Sequence, residues 1–416
     1  MINKSFSIWA ACFIFTAILA VLSCSEKKPF HCNDTLGCVD IEPGEPIELG
    51  VMQLLSGDLK PQGMMQVRAI EMCIANRGGQ LLDHPVKLHV TDSGCTEETG
   101  INAALKLTTN PRIIGIIGTY CSSSAAAAIP LISRAGMVMI SGTNSAPSLT
   151  SSAGKKGANN YPGYFRTMYN GRKMAEMAAV FAYEELGKKK AATINDGDNF
   201  TLELTAEFEH KFKELGGNIV SSMGINKGDK DMMPALEAIS FVKPDVIYFP
   251  LFQPEAVSVI VQSKNVPGFE NTALIGEGGA NSETFIEAVG RSGIGLYLSI
   301  PGEITGKKYD ELLKNYEAQY KEKPIHFSLP YIYDAAGLLF STIESIAVKN
   351  PDGSLHIGRE ALRKAMYGIK DYKGLTGNLT ADLYGDLFRG SASIIRLDDP
   401  SSGYKGFQAN VVYQFQ

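Results

Sequence analysis

Short apolar runs of strand length alternate along the chain with longer segments whose apolar residues recur every three or four positions. A continuous apolar run of about four to eight residues favours a buried strand, and a repeat near 3.6 favours a helix. The predicted strands are 47–52, 86–91, 113–117, 137–140, 191–194, 246–249 and 273–275. Such a strand–helix repeat predicts parallel sheets covered by helices on both faces.

The helical patterns fill the intervals between these strands. They cover 62–75, 96–108, 122–135, 173–186, 202–215, 233–240, 255–263, 282–289, 308–320 and 329–349. Because one compact sheet rarely holds so many units, the extended segments Tyr161–Thr167 and Gly295–Pro301 are predicted to cross between two sheets. The tail, Gly377–Gln416, is predicted to be strand-like with turns.

The first segment has the pattern of an export signal. Lys4 precedes the uncharged apolar stretch Ile8–Leu22, and Val21-Leu22-Ser23-Cys24 resembles a bacterial lipobox. We therefore predict a signal peptide over 1–23, lipid attachment at Cys24, and a polar tether over 24–46. An ordinary secretory signal with a chance cysteine and a retained membrane anchor are the alternatives. The lipid would hold the protein in the periplasm or on the outer face of the cytoplasmic membrane.

Composition narrows the classes of partner. The 416 residues carry a net charge of −5, with 44% hydrophobic and 20% charged residues. This chain is too apolar to be disordered, and it lacks the excess of basic residues that nucleic-acid binding requires. A nucleic-acid partner is therefore not expected.

Export also changes the interpretation of the cysteines, because an exported chain meets an oxidising compartment. Cys32 and Cys38 flank a short polar loop and could close a local disulfide, while Cys95 and Cys121 each follow a predicted strand and could bridge neighbouring loops. Cys73 lies on an amphipathic helix face and is predicted to be a buried thiol. Metal binding is a weak rival, because the sequence has no Cys-x-x-Cys motif. No metal or cofactor is predicted.

Hydroxyl-rich loops follow two of the predicted strands. Ser122, Ser123 and Ser124 open a helix after strand 113–117, and Thr143, Asn144 and Ser145 follow strand 137–140. In open α/β sheets ligands bind at the carboxyl ends of strands, and free N–H groups at a helix start favour an anion. The two loops predict one polar half-site for a carboxylate, against the alternative of ordinary helix capping and a plain turn.

Three further residues are candidates on other strand ends. Glu277 lies between glycines after strand 273–275, and it could pair with an ammonium group or be a solvated turn residue. Phe200 and Phe252 follow strands 191–194 and 246–249, and either could line a cleft or anchor a loop in the core.

The ordered chain resembles the type I periplasmic solute-binding proteins of branched-chain amino-acid import. The resemblance covers about Ile47 to Gln416. It is carried by Cys-Ser-Ser-Ser at 121–124, Ile-Ser at 140–141 and Pro-x-Leu-Thr at 147–150, with support from Tyr-Asp-Ala at 333–335.

The resemblance implies a fold and roles for particular residues. It implies two Rossmann-like α/β lobes with parallel central sheets, joined by three hinge crossovers, with lobe one formed by 47–168 plus 301–376 and lobe two by 169–300 plus 377–416. It implies that Ser122 and Ser145 bind the ligand with the loop around them, that Glu277 holds an ammonium group, and that Cys95 pairs with Cys121. Ligand-binding residues are accordingly expected at Ser122, Ser123, Thr143, Asn144, Ser145, Phe200, Phe252 and Glu277.

The chain departs from the pattern of leucine-binding members in the side-chain pocket. Gln62 replaces a common aromatic residue, Phe200 and Phe252 replace common tyrosines, and Arg172 lies near a position that is usually short and polar. The zwitterion anchors are unchanged, so specificity for the ligand side chain is where this chain is expected to differ.

These observations predict the substrate-binding lipoprotein of an ABC importer. It would capture an amino acid or a similar small zwitterion or amide and deliver it to a membrane permease. A ligand-sensing extracytoplasmic receptor lobe is the alternative. An enzyme is disfavoured, because the sequence has no Gly-x-Ser-x-Gly, His-Glu-x-x-His or Walker motif.

Overall fold

Two separate sheets organise the part of the chain that the structure describes. The structure is a computed structural model that describes residues 31–388 and 390–415. The predicted signal peptide and the predicted lipid attachment at Cys24 lie outside the described residues. None of the described helices combines the length and apolarity needed to span a membrane.

The first sheet has six strands, and all neighbouring strands are parallel except one short edge pair. In spatial order the strands are Gln80–Leu81, His84–Asp92, Ile47–Gln53, Ile113–Gly118, Val138–Ser141 and Tyr164–Arg166. Every residue of Ile113–Gly118 is buried, as expected for a central parallel strand covered on both faces.

The second sheet has seven strands. In spatial order they are Asn218–Gly224, Lys190–Asn195, Val246–Phe249, Ala273–Glu277, Tyr297–Pro301, Ala392–Arg396 and Val411–Phe415. The first five are mutually parallel, and the last two join antiparallel at the edge. The sheet is therefore mixed, although its centre is parallel as predicted.

Twelve α-helices occur in the described residues, and most connect consecutive strands. They are Lys60–Ala75, Glu97–Thr108, Ser122–Arg134, Gly171–Val180, Asn199–Glu214, Met233–Ser240, Gln253–Ser263, Glu283–Val289, Lys307–Tyr320, Leu329–Ile346, Arg359–Tyr367 and Gly403–Ala409. A π-helical turn, Phe181–Glu185, extends one of them. The helix Leu329–Ile346 is buried over most of its length, because it packs in the core of the first sheet.

Four short strands form two hairpins, and three others form a small antiparallel sheet. The hairpins pair Ser151–Ser152 with Lys155–Lys156 and Tyr372–Gly374 with Gly377–Leu379. The small sheet has the order Cys38–Ile41, Leu355–Gly358 and Val348–Lys349.

Three predicted elements need correction. The tether predicted for 24–46 is not a free linker throughout, because Cys38–Ile41 forms a strand whose Val39 and Ile41 are buried. The strand Asn218–Gly224 was not predicted, since it lies at a sheet edge and carries Asn and Ser rather than a continuous apolar run. The tail contains the helix Gly403–Ala409 as well as strands.

A further helix, Arg359–Tyr367, was also absent from the prediction. The many charged residues of this helix obscure its apolar pattern in the sequence. In the structure, Leu362 and Met366 on its apolar face are buried in the core of the first sheet. Leu379 and Leu387 belong to the same core, so the chain remains with the first sheet until shortly before it enters Ala392–Arg396.

A buried ion pair fixes the chain where it leaves the first sheet. Arg166 is fully buried, and its Nε donates to Asp386 Oδ1 at 2.5 Å. The remaining donors reach the carbonyls of Asn144 and Ala146 and the hydroxyl of Thr150. Burial alone would raise the pKa of Asp386, but the Arg166 guanidinium outweighs it and the pKa is lowered below the ordinary value of 3.8.

We expect Asp386→Ala to destabilise the protein by about 3–5 kcal/mol, because it leaves a buried guanidinium without its counter-ion. Urea unfolding at pH 7 measures the loss. The matched control is Asp398→Ala, which removes an exposed ion pair with Arg396 at 3.0 Å and should cost less than about 1 kcal/mol. Equal losses in the two variants would contradict the structural role given to Asp386.

The contribution of Asp386 should also depend on pH. A carboxyl whose pKa is lowered by folding stabilises the native state above its unfolded value and loses that contribution as the pH falls through its folded value. The difference between the unfolding free energies of the wild type and Asp386→Asn should therefore shrink below about pH 4. An unchanged difference at pH 3 would contradict this assignment.

Candidate ligand-binding site

A small cavity lies between the loops of the two sheets. Its walls are Tyr120, Ser122, Thr143, Ser145, Met168, Tyr169, Phe200, Phe252, Gly279, His326 and Phe327. The cavity volume is about 30 Å³, which is room for only a few water molecules. A solute of amino-acid size therefore needs the two sheets to move apart or the lining side chains to rearrange.

One wall of the cavity is made of hydroxyl groups from two neighbouring strand ends. Ser122 is the first residue of the helix Ser122–Arg134, and its Oγ accepts the N–H of Ala146 at 3.3 Å. Thr143 and Ser145 come from the loop after Val138–Ser141, and Thr143 Oγ1 donates to the carbonyl of Thr119 at 2.9 Å. The sequence prediction that these two loops meet is confirmed.

The start of the helix Ser122–Arg134 is open to an anion. Its N-cap residue, Cys121, makes no side-chain capping hydrogen bond. The first N–H groups of a helix lack intrahelical partners and carry the positive end of the helix dipole. A carboxylate in the cavity could accept from these N–H groups and from the Ser122 hydroxyl.

Asn144 is a structural residue of this wall and does not line the cavity. Its side-chain amide donates to the carbonyls of Thr119 at 3.1 Å and Tyr120 at 3.0 Å. Its Oδ1 accepts the hydroxyl of Tyr164 at 3.0 Å. Asn144 therefore fixes the two loops relative to each other.

The opposite wall is aromatic. Phe200 and Phe252 come from loops of the second sheet, and their ring centroids lie 5.4 Å apart. Tyr120, from the first sheet, approaches Phe252 at 6.2 Å. Phe200 is held at the start of its helix because Asp198 caps the N–H of that residue at 2.8 Å. Both phenylalanines line the cavity and also pack in a core cluster, so the two alternatives in the sequence prediction are compatible.

Glu277 is fully buried beside the cavity but is not one of its lining residues. Its Oε1 accepts the hydroxyl of Tyr248 at 2.8 Å, and its Oε2 has no hydrogen-bond partner. Burial raises the pKa of Glu277 to about 8, although the nearby hydroxyls of Ser299 and Tyr248 lower it in part. The side chain is therefore mostly protonated at neutral pH.

His326 was not predicted from the sequence. It is buried in the cavity wall, with Nδ1 at 2.8 Å from Ser328 Oγ and Nε2 without a hydrogen-bond partner. Burial lowers its pKa to about 4, partly offset by the backbone of Gly278, so the ring is neutral. It is a polar group that a ligand entering the cavity could satisfy.

Five other residues of the lining were not predicted from the sequence. They are Tyr120, Met168, Tyr169, Gly279 and Phe327. Met168 and Tyr169 belong to the segment that leaves the first sheet, and Phe327 lies between two helices far along the chain. Tyr120 and Gly279, by contrast, are each two residues away in sequence from a predicted site residue, Ser122 and Glu277. Their place in the lining could therefore have been predicted from the sequence.

Ser123 points away from the cavity toward the helix Asn199–Glu214. Its hydroxyl accepts the N–H of Asn199 at 2.8 Å and donates to Asn199 Oδ1 at 3.1 Å. The structure therefore brings Ser122, Thr143, Ser145, Phe200 and Phe252 into the lining, and leaves Ser123, Asn144 and Glu277 outside it.

The disulfides agree with the sequence expectation. Cys95 and Cys121 are bonded, with Cα atoms 5.2 Å apart, and this bond ties the loop after His84–Asp92 to the start of the helix Ser122–Arg134. Cys32 and Cys38 are also disulfide-bonded, and Cys73 is a buried free thiol. Asp198 lies near Cys95 and Cys121, but both sulfur atoms are used in the disulfide, so this group offers no thiolate for a metal.

A second cavity of about 320 Å³ lies on the other side of Tyr169, next to the segments that connect the two sheets. Asn170, Arg172, Lys173 and Asp386 contribute polar groups to it. Arg172 is held there by Glu176 at 2.7 Å and Glu207 at 3.3 Å. Tyr169, which belongs to one of these connecting segments, lines both cavities.

Two α/β lobes whose strand-end loops enclose a small cavity define the class of two-lobed solute-binding proteins. The chain belongs to the periplasmic binding protein family, whose model matches residues 46–393. The resemblance inferred from the motifs is therefore confirmed. The family is one of periplasmic binding proteins, so the protein is a binding protein and not an enzyme.

Individual relatives show the same relationship at low identity. The leucine-, isoleucine-, valine-, threonine- and alanine-binding protein of Pseudomonas aeruginosa is 24% identical over 346 residues, which cover 82% of this chain and 87% of the relative. A leucine-binding protein of Thermotoga maritima has a TM-score of 0.73 at 22% identity, covering 85% of this chain and 96% of that one. A solute-binding protein of R. palustris in complex with benzoate has a TM-score of 0.72 at 21% identity, covering 85% and 93%. The two structures support the fold.

We expect Glu277→Gln to change how stability depends on pH. A carboxyl whose pKa is raised to about 8 by folding contributes stability below its unfolded value of 4.5, and that contribution is lost as the pH rises through about 8. The variant cannot ionise, so it should gain stability relative to the wild type between pH 5 and pH 9. Urea unfolding at these two pH values measures the change.

Glu287→Gln, an exposed position on the helix Glu283–Val289, is the matched control and should show no such gain. If the wild type and Glu277→Gln lost stability in parallel toward pH 9, the buried and mostly protonated state of Glu277 would be refuted.

Proposed function

We propose that this protein is the substrate-binding component of an ABC importer that captures a free amino acid between its lobes and delivers it to a membrane permease. The observation that carries the proposal is the division of the site: hydroxyls and an open helix start on one wall, and a buried carboxyl with an unused oxygen beside the other.

The carboxylate of an amino acid fits the hydroxyl wall. Ser122, Thr143 and Ser145 converge there, and the helix start adds N–H donors with the favourable end of the dipole. Hydrogen bonds to an ionised acceptor are the stronger kind, so this wall would supply most of the orientation.

The ammonium group fits Glu277 if the cavity opens toward it. Oε2 of Glu277 has no hydrogen-bond partner, and a buried polar atom without a partner is costly. An arriving ammonium would favour the ionised carboxyl, so binding should release a proton at neutral pH. The apolar remainder of the ligand would contact Phe200, Phe252 and Tyr120. The Pseudomonas relative, whose name lists five amino acids, is consistent with this class.

A second candidate ligand is an aromatic monocarboxylic acid. The lining contains several aromatic side chains and no group that is charged at neutral pH, because burial lowers the pKa of His326 and raises the pKa of Tyr120 and Tyr169. Glu277 is not part of this lining. Such an acid would use the hydroxyl wall and the aromatic wall without an ammonium partner. The R. palustris protein that holds benzoate shows that this fold accommodates that chemistry.

Capture would proceed by closure of the lobes. A ligand that contacts both walls stabilises the closed form by its differential affinity for it. We place lobe one at 47–168 plus 301–376 and lobe two at 169–300 plus 377–416, with 377–388 better grouped with lobe one because Leu379 and Leu387 pack there. A lipid on Cys24 would keep the carrier near its permease and raise the effective concentration. A sensory role would use the same closure with a receptor as partner.

We expect free amino acids with apolar side chains to raise the melting temperature, because ligand binding to the native state stabilises it by mass action. A thermal-shift panel of amino acids, amides and aromatic acids measures this. Ser122→Ala should reduce the shift from any carboxylate, and Ser240→Ala, on the surface of the second lobe, is the control. A panel without a response from amino acids or aromatic acids would exclude both proposed ligand classes.

We expect the pH dependence of affinity to separate the two ligand classes. If an ammonium group requires ionised Glu277, amino-acid affinity should rise about tenfold per pH unit from pH 6 toward pH 8, where the carboxyl begins to ionise on its own. Calorimetry in buffers of different ionisation enthalpy should show proton release. Glu277→Gln should remove both effects. An aromatic acid should show neither, and an amino acid whose affinity is flat across this range would contradict the role of Glu277.

A further inference from the structure

We infer that a row of hydrogen bonds between one helix of lobe two and three serines of lobe one closes the cleft without a ligand. We name it the serine seam: Asn199, Glu203 and Glu207 on one side, and Ser123, Ser148 and Ser152 on the other. The inference rests on the proposed function in one respect: it assumes that the protein captures its ligand by closing the two lobes.

The helical partners of the serine seam form one stripe. Asn199, Glu203 and Glu207 are spaced four residues apart on the helix Asn199–Glu214, so their side chains lie one above another on the same face. This face meets the loops that follow Ile113–Gly118 and Val138–Ser141. The stripe is therefore built to contact lobe one at three successive levels.

Each level of the serine seam consists of one or two direct hydrogen bonds. At the first, Ser123 and Asn199 exchange two hydrogen bonds, of 2.8 and 3.1 Å. At the second, the N–H and hydroxyl of Ser148 donate to the two oxygens of Glu203 at 2.7 and 2.5 Å. At the third, the Ser152 hydroxyl donates to Glu207 Oε1 at 2.9 Å.

The hydrogen bonds between Ser148 and Glu203 are expected to be the strongest of the three levels. Two donors converge on one carboxylate, which is the arrangement that makes hydrogen bonds to charged groups stronger than neutral ones. Burial raises the pKa of Glu203, and the hydrogen bonds from Ser148 lower it in part. Since opening returns the carboxylate to water, the net preference for closure is smaller than the gross hydrogen-bond energy. The seam therefore biases the equilibrium and does not lock it.

None of the six residues lines the ligand cavity. A contact that exists only when the lobes are together, and that touches no ligand, adds the same free energy to the binding of every ligand. Weakening the seam should lower the affinity for all ligands by one common factor. A change in the cavity lining, by contrast, should alter the ranking of ligands.

The experiment measures closure in the full-length protein without ligand. Spin labels at Lys106→Cys and Lys264→Cys, exposed positions on the two lobes, report the interlobe distance by pulsed electron resonance. Cys73 is buried and the other described cysteines are in disulfides. Cys12 and Cys24, which lie outside the described residues, are replaced by serine in every variant, so that labelling is confined to the two introduced sites. The variants are Glu203→Ala, Ser148→Ala and their combination, with Glu214→Gln, an exposed residue at the end of the same helix, as control.

We expect a closed component in the wild type and a loss of about fivefold in its ratio to the open component in Glu203→Ala, the effect of one net hydrogen bond. The ratio of closed to open component should fall less in Ser148→Ala, because this variant keeps the backbone N–H of residue 148. In the double variant the ratio should fall by less than the two single effects combined. In Glu214→Gln it should not change. A wild type without a closed component, or a Glu203→Ala distribution identical to the wild type, would overturn the inference.

The distance measurement tests the serine seam even if the proposed ligands are wrong. The distance measurement contains no ligand, so a silent amino-acid panel would count against the proposed function and leave the serine seam untouched. If Glu203→Ala failed to fold by circular dichroism, Ser148→Ala alone would decide, since it removes a single hydroxyl. Once any ligand is known, an unequal change in affinity across ligands in Ser148→Ala would also overturn the inference.

Discussion

A charged group can leave water only if the protein replaces the interactions that it loses, and this constraint shapes the region between the two sheets. Arg166 is fully buried and is compensated by Asp386 together with carbonyl and hydroxyl acceptors. Glu203 is compensated only in part by two donors from Ser148, so burial still raises its pKa. Glu277 has one hydroxyl donor and one oxygen without a partner, so it keeps its proton instead. The three solutions match the structural role of the Arg166–Asp386 pair, the conformational role proposed for Glu203 and the ligand-binding role proposed for Glu277.

The parallel arrangement of the strands explains why these positions lie together. Carboxyl ends of parallel strands meet at one edge of a sheet, so segments far apart in sequence supply neighbouring loops. Two such edges face each other here, with the helix starts at Ser122 and Asn199 on opposite sides. The Cys95–Cys121 disulfide holds one of these starts, and the cap from Asp198 holds the other. Rigid strand ends and short loops thereby position the site without long flexible segments.

Much of this arrangement could be predicted from sequence because it depends on local patterns. Central strands such as Ile113–Gly118 are continuous apolar runs, and the hydroxyl clusters at 122–124 and 143–145 follow strands directly. The edge strand Asn218–Gly224 escaped prediction because half-exposed edges tolerate polar residues. His326 and Tyr169 escaped because only the three-dimensional path of the chain brings them to the cavity. The orientation of Ser123 likewise could not be read from its neighbours, since all three serines share the same local sequence.

The size of the cavity has a kinetic consequence. A space of about 30 Å³ is too small for a solute of amino-acid size, and under the proposed closure mechanism entry follows an opening motion of the lobes. Association would then be gated: at high solute concentration the observed rate would level off at the rate of opening, and it would do so at the same ceiling for every solute. The time that an empty carrier spends shut would set how quickly the cell can respond to a sudden supply of solute, independently of how tightly that solute is finally held.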